Sequence, residues 1–276
     1  MLHNVDLHCH STASDGALSP QAVVERALAN GAGMLALTDH DSVAGLASIS
    51  SDLSARLELI PGAEFSTRWE SLAVHVVGLR LDLKSDALHA TLAAQNEVRQ
   101  KRAVEIAQAL KRAGLPDLLE AATARAGDAV VGRPHFAREL VARGLVGSME
   151  QAFRRYLGQG RPGDVHNAWP GILSTITRIH AADGVAVLAH PLNYRLSRRQ
   201  RQRLIAAFKA AGGDAVEVVS GRQDPEQTRM LARDSQAVGL AGSIGSDFHA
   251  PSQRGMDVGA TGPLPAGVRP VWELFR

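Results

Sequence analysis

Several features that mark common protein classes are scarce or missing in this chain. Cys9 is the one cysteine among 276 residues, so no internal disulfide can form and nothing points to an oxidising compartment. No apolar run is long enough to cross a bilayer, and the N-terminus lacks the basic and apolar segments of a secretory signal. We therefore expect a cytoplasmic protein that does not associate with membranes.

A strong charge imbalance is also absent. The chain has 30 Lys and Arg residues against 28 Asp and Glu residues, and this formal net charge of +2 is too small to predict a surface for duplex nucleic acid. No feature of the sequence indicates a protein partner. A hydrophobic content of 45% and a charged content of 21% argue against disorder and predict a globular chain with a full core.

Short aliphatic runs alternate with helical patterns at both ends of the chain. Ser19 and Pro20 mark the start of the first predicted helix, and Asn30-Gly31 marks its end. Strands separated by helices in this way predict a parallel sheet, which in a chain of this size most often closes into a TIM-like α/β barrel. The candidate strands are NVDLH, MLALTD, LELIPGAEF, LAVHVVGLRL, VAVLAH, DAVEVVS and GLAGSIGSD.

The alternation of strands and helices stops between residues 82 and 164. This stretch has a helical pattern throughout, and no strong strand candidate interrupts it. We therefore predict a barrel built from residues 1–81 and 165–276, with residues 82–164 forming a helical insertion between two of its strands.

Histidines and carboxylates recur at the ends of the predicted strands, and His75 lies inside one of them, LAVHVVG. His8 and His10 are two apart on an extended chain, so their side chains point to one side and that of Cys9 to the other. In a parallel barrel the ends of all strands open on one face, and a cluster of imidazoles and carboxylates there predicts bound divalent metal ions. The residues concerned are His8, His10, Asp15, His40, Glu64, His75, His190, Asp247 and His249.

The order of these motifs resembles the PHP (polymerase and histidinol phosphatase) family of metal-dependent phosphoesterases. The shared pattern is H-x-H after the first strand, D-H after the second, a glutamate after the third, an isolated histidine, H-P and a final D-x-H. The resemblance covers nearly the whole chain and implies a distorted (β/α)7 barrel, although strand periodicity alone does not distinguish seven strands from eight. The segments VDLHCHSTASDG, LALTDHD, GRPHFAREL and LAHP are similar to a subgroup that acts on 3′,5′-bisphosphonucleotides and short oligonucleotides.

The resemblance implies two or three metal ions. Manganese is favoured by the mixture of imidazole and carboxylate ligands, and iron(II) and zinc remain open. Many relatives have a histidine where this chain has Asp15, so the third position is richer in oxygen here. The implied ligand sets are His8, His10, Glu64 and Asp247 for the first ion, Glu64, His75 and His190 for the second, and Asp15, His40 and His249 for the third.

Such a cluster suits the hydrolysis of phosphate esters, because metal ions that share a carboxylate make hydroxide available near neutral pH. The resemblance implies a metal-dependent phosphatase that acts on a phosphate monoester of a small nucleotide, with the 3′-phosphate of a 3′,5′-bisphosphonucleotide as the expected substrate. Asp247 would assist proton transfer, and His249 or Asp15 would serve the leaving group.

Cationic side chains in the insertion are candidates for binding a second phosphate. A cationic helix face more often contacts only water, but the insertion covers the metal site in relatives, and the resemblance therefore favours substrate binding. Asn193 and Tyr194 follow His190 and would contact a base or ribose. The cationic candidates are Arg99, Lys101, Arg102, Arg133 and His135.

Three other functions remain open from the sequence. The first is 5′→3′ exoribonuclease action on short oligonucleotides. The second is hydrolysis of C–N bonds, because amidohydrolases also use a barrel and an H-x-H motif, although no lysine is placed to bridge metals after a middle strand. The third is a non-catalytic, metal-stabilised module, although such relatives usually lose ligands and all nine positions are filled in this chain.

Overall fold

The computed structural model describes residues 4–165, 169–251 and 255–275. The chain forms two compact units, Met1–Leu92 with Pro170–Arg276, and Ala93–Trp169. Within the described ranges, no helix combines the length and the apolar character needed to cross a membrane.

Seven strands form one sheet in the first unit, with neighbours in sequence order. All seven predicted strands are confirmed. Phe248 O accepts the His10 N–H and His8 O accepts the Asp247 N–H, so the two edges of the sheet meet and the barrel nearly closes. The strands are β1 (Val5–Cys9), β2 (Met34–Leu37), β3 (Glu58–Trp69), β4 (Leu72–Leu79), β5 (Val185–Leu188), β6 (Ala215–Ser220) and β7 (Ala241–Gly245).

Helices connect most of the strands. The Ser19 hydroxyl accepts the Ala22 N–H, which confirms the predicted start of the first helix. The described α-helices are α1 (Pro20–Ala29), α2 (Ser51–Ser54), α3 (Asp86–Arg112), α4 (Leu119–Ala126), α5 (Arg133–Ala142), α6 (Met149–Ala152), α7 (Ile172–His180), α8 (Arg198–Ala210) and α9 (Pro225–Ala237). Short 3₁₀-helices cover Ala44–Ser48 and Val271–Leu274, and a π-helical turn covers Phe153–Leu157.

The sheet is not parallel throughout, and this corrects the prediction. β4 runs antiparallel to both β3 and β5, whereas the other strand pairs are parallel. Trp69 pairs with Leu72, so only Glu70 and Ser71 connect β3 to β4, and a connection of two residues can make only an antiparallel hairpin. The remaining strands keep the parallel arrangement expected of a (β/α) barrel.

An apolar cluster with members from all seven strands fills the barrel interior. It includes Leu7, Ile60, Val77 and Ala215. Because side chains alternate along a strand, Glu64 on β3, His75 on β4 and Glu217 on β6 share the inward face with these apolar residues. The polar centre of the barrel therefore lies next to a buried apolar layer.

The second unit is helical in its described part and has its own core. Ala103, Ile106 and Leu110 of α3 pack with Phe136 and Leu140 of α5 in one buried cluster. In the first unit, the Asp82 N–H donates to Ala182 O at 2.9 Å, so the chain returns to the place from which it left.

Candidate metal centre

The β3–β4 hairpin places the central carboxylate and one imidazole side by side. Glu64 lies within β3, five residues before its end, so the prediction that Glu64 ends the strand was wrong. His75 pairs with Ser66, two residues beyond Glu64 on the same face, which makes His75 the diagonal neighbour of Glu64. Their side chains meet with 2.8 Å between His75 Nδ1 and Glu64 Oε1.

The Glu64 carboxylate is 1% exposed and is shared by five histidines. A buried carboxylate in contact with this many nitrogen atoms is an arrangement suited to bridging cations. From Oε1 the distances are 2.8 Å to His75 Nδ1, 2.9 Å to His190 Nε2 and 3.4 Å to His8 Nε2, and from Oε2 they are 2.8 Å to His40 Nδ1 and 3.4 Å to His10 Nε2.

β1 places the imidazoles of His8 and His10 next to the Glu64 carboxylate. His8 Nε2 and His10 Nε2 are 3.1 Å apart, and Asp247 Oδ1 lies 3.7 Å from the first and 3.6 Å from the second. Cys9, between them, is fully buried in the apolar cluster that contains Val23 of α1. The Cys9 side chain is thus part of the core, as the alternation along β1 predicted.

Asp15 is carried by a loop that follows β1. Its Oδ2 is 3.6 Å from His40 Nε2 and its Oδ1 is 3.4 Å from His249 Nε2. The loop turns tightly enough that a Cβ on Gly16 would lie 2.5 Å from the carbonyl oxygen of His10. This turn therefore requires glycine, and it brings Asp15 to the two histidines.

Two buried aspartates that the sequence analysis did not single out hold the loops of the centre. Asp39 accepts three hydrogen bonds from the Asp15 loop, from Ser11 N–H at 2.8 Å, Ser11 Oγ–H at 2.7 Å and Ser14 Oγ–H at 2.6 Å. Asp6 accepts the N–H of Ser246 at 2.9 Å, next to Asp247. Burial raises the pKa of both aspartates. Acidic residues within the apolar runs NVDLH and LALTD were the sequence signal for these roles.

The electrostatics of the centre divide the histidines into two groups. Burial lowers the pKa of His8, but the carboxylates of Glu217 and Glu64 outweigh burial and leave this pKa well above its usual value. Burial also opposes protonation of His190, but hydrogen bonding to Glu64 leaves its pKa raised. Burial and the nearby His249 lower the pKa of His10 to about 3, and burial lowers that of His75.

The donor atoms fit divalent metal ions. The Nδ1 atoms of His10 and His190 are buried without a hydrogen-bond partner in the described structure, an arrangement that is costly unless something else binds there. Among the residues that the structure describes, four groups each bring one ligand atom per residue within 4.8 Å of one another, and together these groups contain all nine predicted ligands. The groups are His10, Asp15, His40 and His249; His8, His10 and Asp247; His8, Glu64 and His190; and His40, Glu64 and His75.

The cationic residues of the second unit form a cluster of their own. The guanidinium groups of Arg99 and Arg102 lie 5.5 Å and 5.8 Å from the Trp169 ring. Partial burial and the neighbouring Arg133 and Arg99 lower the pKa of Arg102 to about 9, so Arg102 remains charged at neutral pH. Lys101 is exposed, whereas Arg99 is buried. The structure therefore brings the arginines together and leaves Lys101 at the surface.

His135 and Arg133 begin α5 in the same unit. His135 is 2% exposed, and its Nδ1 accepts the Gly132 N–H at 3.0 Å, which leaves Nε2 as the donor of the neutral ring. Arg133 Nη1 lies 3.5 Å from Asp164 Oδ1. Asp164 and Glu105 both act on the charge of the neighbouring Arg102.

The two candidate residues that follow His190 differ in their surroundings. Tyr194 packs against the His190 ring at 5.4 Å between centroids, and its hydroxyl accepts the His75 N–H at 2.8 Å. Asn193 is exposed. Tyr194 thus forms part of the wall of the centre, and Asn193 points to solvent.

Comparisons with known proteins agree with this geometry. A model of the PHP domain matches residues 6–156. A protein of Haemophilus influenzae named 5′-3′ exoribonuclease is 45% identical over 278 residues, which is 100% of both chains. A protein of Chromobacterium violaceum named 3′,5′-nucleoside bisphosphate phosphatase is 41% identical over 271 residues, covering 98% of this chain and 95% of that protein.

Two solved structures share the fold. One from Chromobacterium violaceum, described as an amidohydrolase with bound sulfate and no metal, has a TM-score of 0.91 at 40% identity, covering 98% of this chain and 95% of that one. Another from Bifidobacterium adolescentis, inferred to be a metal-dependent phosphoesterase, has a TM-score of 0.81 at 26% identity, covering 98% and 94%.

Fold, centre and relatives together define a metal-dependent hydrolase of phosphoric ester bonds. The chain belongs to the PHP domain family, which confirms the resemblance seen in the sequence.

Proposed function

We propose that this phosphoesterase hydrolyses a phosphate monoester of a small nucleotide, and that it removes the 3′-phosphate of a 3′,5′-bisphosphonucleotide. The observation that carries the proposal is the sharing of one buried carboxylate, Glu64, by five imidazoles, which suits two adjacent divalent ions. The name of the Chromobacterium violaceum phosphatase supports this substrate class.

The nine clustered residues would hold the ions in the three sets that the resemblance implies. When bound, such ions supply a water nucleophile near neutral pH and offset the charge of the phosphate oxygens. Asp247 Oδ1 accepts the proton of the attacking water. His249 donates its Nδ1–H to Asp247 O at 2.9 Å, so its Nε2, which faces Asp15, is the ring atom that would bind the third ion. The same atom would serve the leaving oxygen only when it is not bound to metal, and Asp15 is the alternative group for that proton transfer.

Manganese is the ion that the proposal favours, with iron(II) and zinc as alternatives. The ligands are imidazoles and carboxylates, and the one thiol, that of Cys9, is buried in the core. We also infer that the enzyme acts in the cytoplasm, since a single buried cysteine indicates no disulfide chemistry.

Arg102, Arg133 and His135 bind the phosphate that is not cleaved, and Lys101 adds to the attraction of anions from the surface. Clustered, partly buried arginines form charge-assisted hydrogen bonds with a phosphate more readily than solvated lysines do. Asn193 and Tyr194 contact the base or ribose. The bound sulfate described for the Chromobacterium violaceum structure supports binding of a tetrahedral anion in this family.

Arg102→Ala and His135→Ala are expected to lower kcat/KM for a bisphosphonucleotide by about ten- to a hundredfold, because a charge-assisted contact contributes roughly 1.5–3 kcal/mol. The loss should be much smaller for a monophosphate that lacks the remote group. Lys111→Ala removes an exposed cation near the end of the same helix, α3, and as the control it should change the turnover of both substrates little. Equal losses on the two substrates would exclude a second-phosphate site. Ionic strength is held constant, since surface charge otherwise mimics the effect.

Exoribonuclease action on short oligonucleotides is the second candidate, because the Haemophilus influenzae relative carries that name. The deciding experiment supplies manganese-loaded enzyme with 3′,5′-bisphosphonucleotides, nucleoside monophosphates, 5′-phosphorylated short RNAs and amides. We expect the highest kcat/KM for phosphate release from the bisphosphonucleotide. Faster release of mononucleotides from RNA would make the exoribonuclease the main activity. Amide turnover would support C–N hydrolysis, and bound metal without any turnover would indicate a non-catalytic module.

A further inference from the structure

A buried glutamate outside the nine candidate ligands contacts two of them. Glu217 on β6 is 2% exposed, and its two carboxylate oxygens reach different strands. Oε1 lies 3.1 Å from His8 Nδ1, and Oε2 accepts the His190 N–H at 2.6 Å. One side chain therefore connects the ligand at the end of β1 with the ligand that follows β5.

The two ring nitrogens of His8 have different surroundings. Nε2 lies 3.4 Å from Glu64 Oε1 and 3.7 Å from Asp247 Oδ1, among the candidate ligands. Nδ1 faces Glu217, which as a carboxylate only accepts hydrogen bonds. The neutral ring therefore keeps its proton on Nδ1 and turns the lone pair of Nε2 toward the centre.

His190 is held through its main chain. It is a non-glycine residue with a positive φ of 28°, a conformation that the surroundings must stabilise. The hydrogen bond from its N–H to Glu217 satisfies a buried donor at this position. The His8 and His190 rings stack with centroids 5.6 Å apart, so Glu217 controls the placement of both rings.

Gly245 on β7 provides the space for this arrangement. A Cβ at this position would collide with both Glu217 Oε1 and His8 Cβ. A side chain at this position would therefore push the Glu217 carboxylate and the His8 imidazole apart. A glycine facing a buried carboxylate is consistent with a contact on which the centre depends.

We propose that Glu217 is a positioning residue of the metal centre, which fixes the tautomer of His8 and the backbone of His190 so that both rings present a lone pair to the ions. This role rests on the metal centre of the proposed function. It requires no contact between Glu217 and either substrate or metal.

Glu217→Gln tests the role with little change of shape. Both partners of Glu217 donate hydrogen bonds, whereas a glutamine amide has only one acceptor oxygen. In the variant, the amide NH2 group would therefore face one of the two N–H donors and repel it. We expect metal affinity, measured by competition with a chromogenic chelator, to fall about ten- to a hundredfold. Glu139→Gln, the same change at a buried glutamate that contacts Arg125 and Arg143, is the control and should bind metal like wild type. Unchanged affinity in Glu217→Gln would overturn the role.

A measurement on the wild-type protein avoids dependence on the folding of a variant. In zinc-loaded protein with ¹⁵N-labelled histidine, NMR should show His8 protonated at Nδ1 and bound to zinc through Nε2. Zinc on Nδ1 would overturn the proposal. Glu64→Gln distinguishes failure of the Glu217 role from failure of the metal centre itself. If Glu64→Gln loses metal while Glu217→Gln keeps full affinity, only the role of Glu217 is refuted. If both variants keep full affinity, the metal centre is refuted as well.

Discussion

Glu64→Gln is expected to abolish turnover and to remove bound metal at the same time. Burial alone would raise the pKa of Glu64, but the nearby His75, His40 and His8 outweigh burial and hold this pKa well below its usual value. The side chain is therefore an anion among imidazoles. A neutral amide of the same size cannot balance two cations, and its nitrogen offers no lone pair to a metal.

Metal content after dialysis and turnover with added manganese measure this effect. Glu58→Gln makes the same change at an exposed position at the start of β3, and it should retain both metal and activity. If Glu64→Gln kept wild-type turnover at unchanged metal content, Glu64 would have no place in the mechanism. Circular dichroism of both variants separates loss of metal from loss of fold.

Metal removal is expected to have the second largest effect, with complete and reversible loss of activity. Ligand binding stabilises a folded protein in proportion to the logarithm of ligand excess, by about 2.7 kcal/mol at a hundredfold excess over Kd. Treatment with a chelator should therefore lower the Tm as well as the activity, and manganese should restore both. Activity that persists at full metal depletion would contradict the reaction class.

The affinity for metal should rise with pH. The pKa values of His8 and His190 are raised, so these rings hold protons to a higher pH than a free imidazole does, and metal must displace each proton that remains. Below the pKa of such a group, affinity increases about tenfold per pH unit for each proton released. His10, with a pKa of about 3, releases none near neutrality, and the lowered pKa of His75 reduces its share of the protons released.

Calorimetric titration in two buffers of different ionisation enthalpy measures this proton release directly. We expect the apparent heat of binding to depend on the buffer between about pH 6 and pH 8. A constant affinity and a buffer-independent heat over this interval would show that no proton leaves when metal binds.

The sequence predicted all seven strands because each one buries aliphatic side chains and is bounded by polar or turn-forming residues. It also predicted which side chains cluster, since the ends of barrel strands converge on one face. The direction of β4 was wrong because the Glu70–Ser71 turn lacks the Asn-Gly or Asp-Gly signature of a short hairpin. For the same reason Glu64 was taken as the end of a strand that continues to Trp69.

The sequence did not predict the residues that hold the candidate ligands in place. Glu217 is one acidic residue within the run AVEVV, and its partner His8 lies 209 positions away in the chain. Without the register between strands, nothing in the sequence connects the two. Asp6 and Asp39 are likewise single acidic residues within apolar runs, and no sequence pattern pairs them with the N–H groups and serine hydroxyls that they contact.

The hydrogen bond between Asp82 and Ala182 joins the two ends of a hundred-residue segment at one point of the barrel. The cost of closing a loop grows only slowly with its length once its ends are fixed together. Mutation can therefore lengthen, shorten or replace the intervening helices while β4 and β5 stay paired. The side chains clustered at the centre of the barrel and the inserted helices can then evolve at different rates, so members of one family can keep the first while the second diverges.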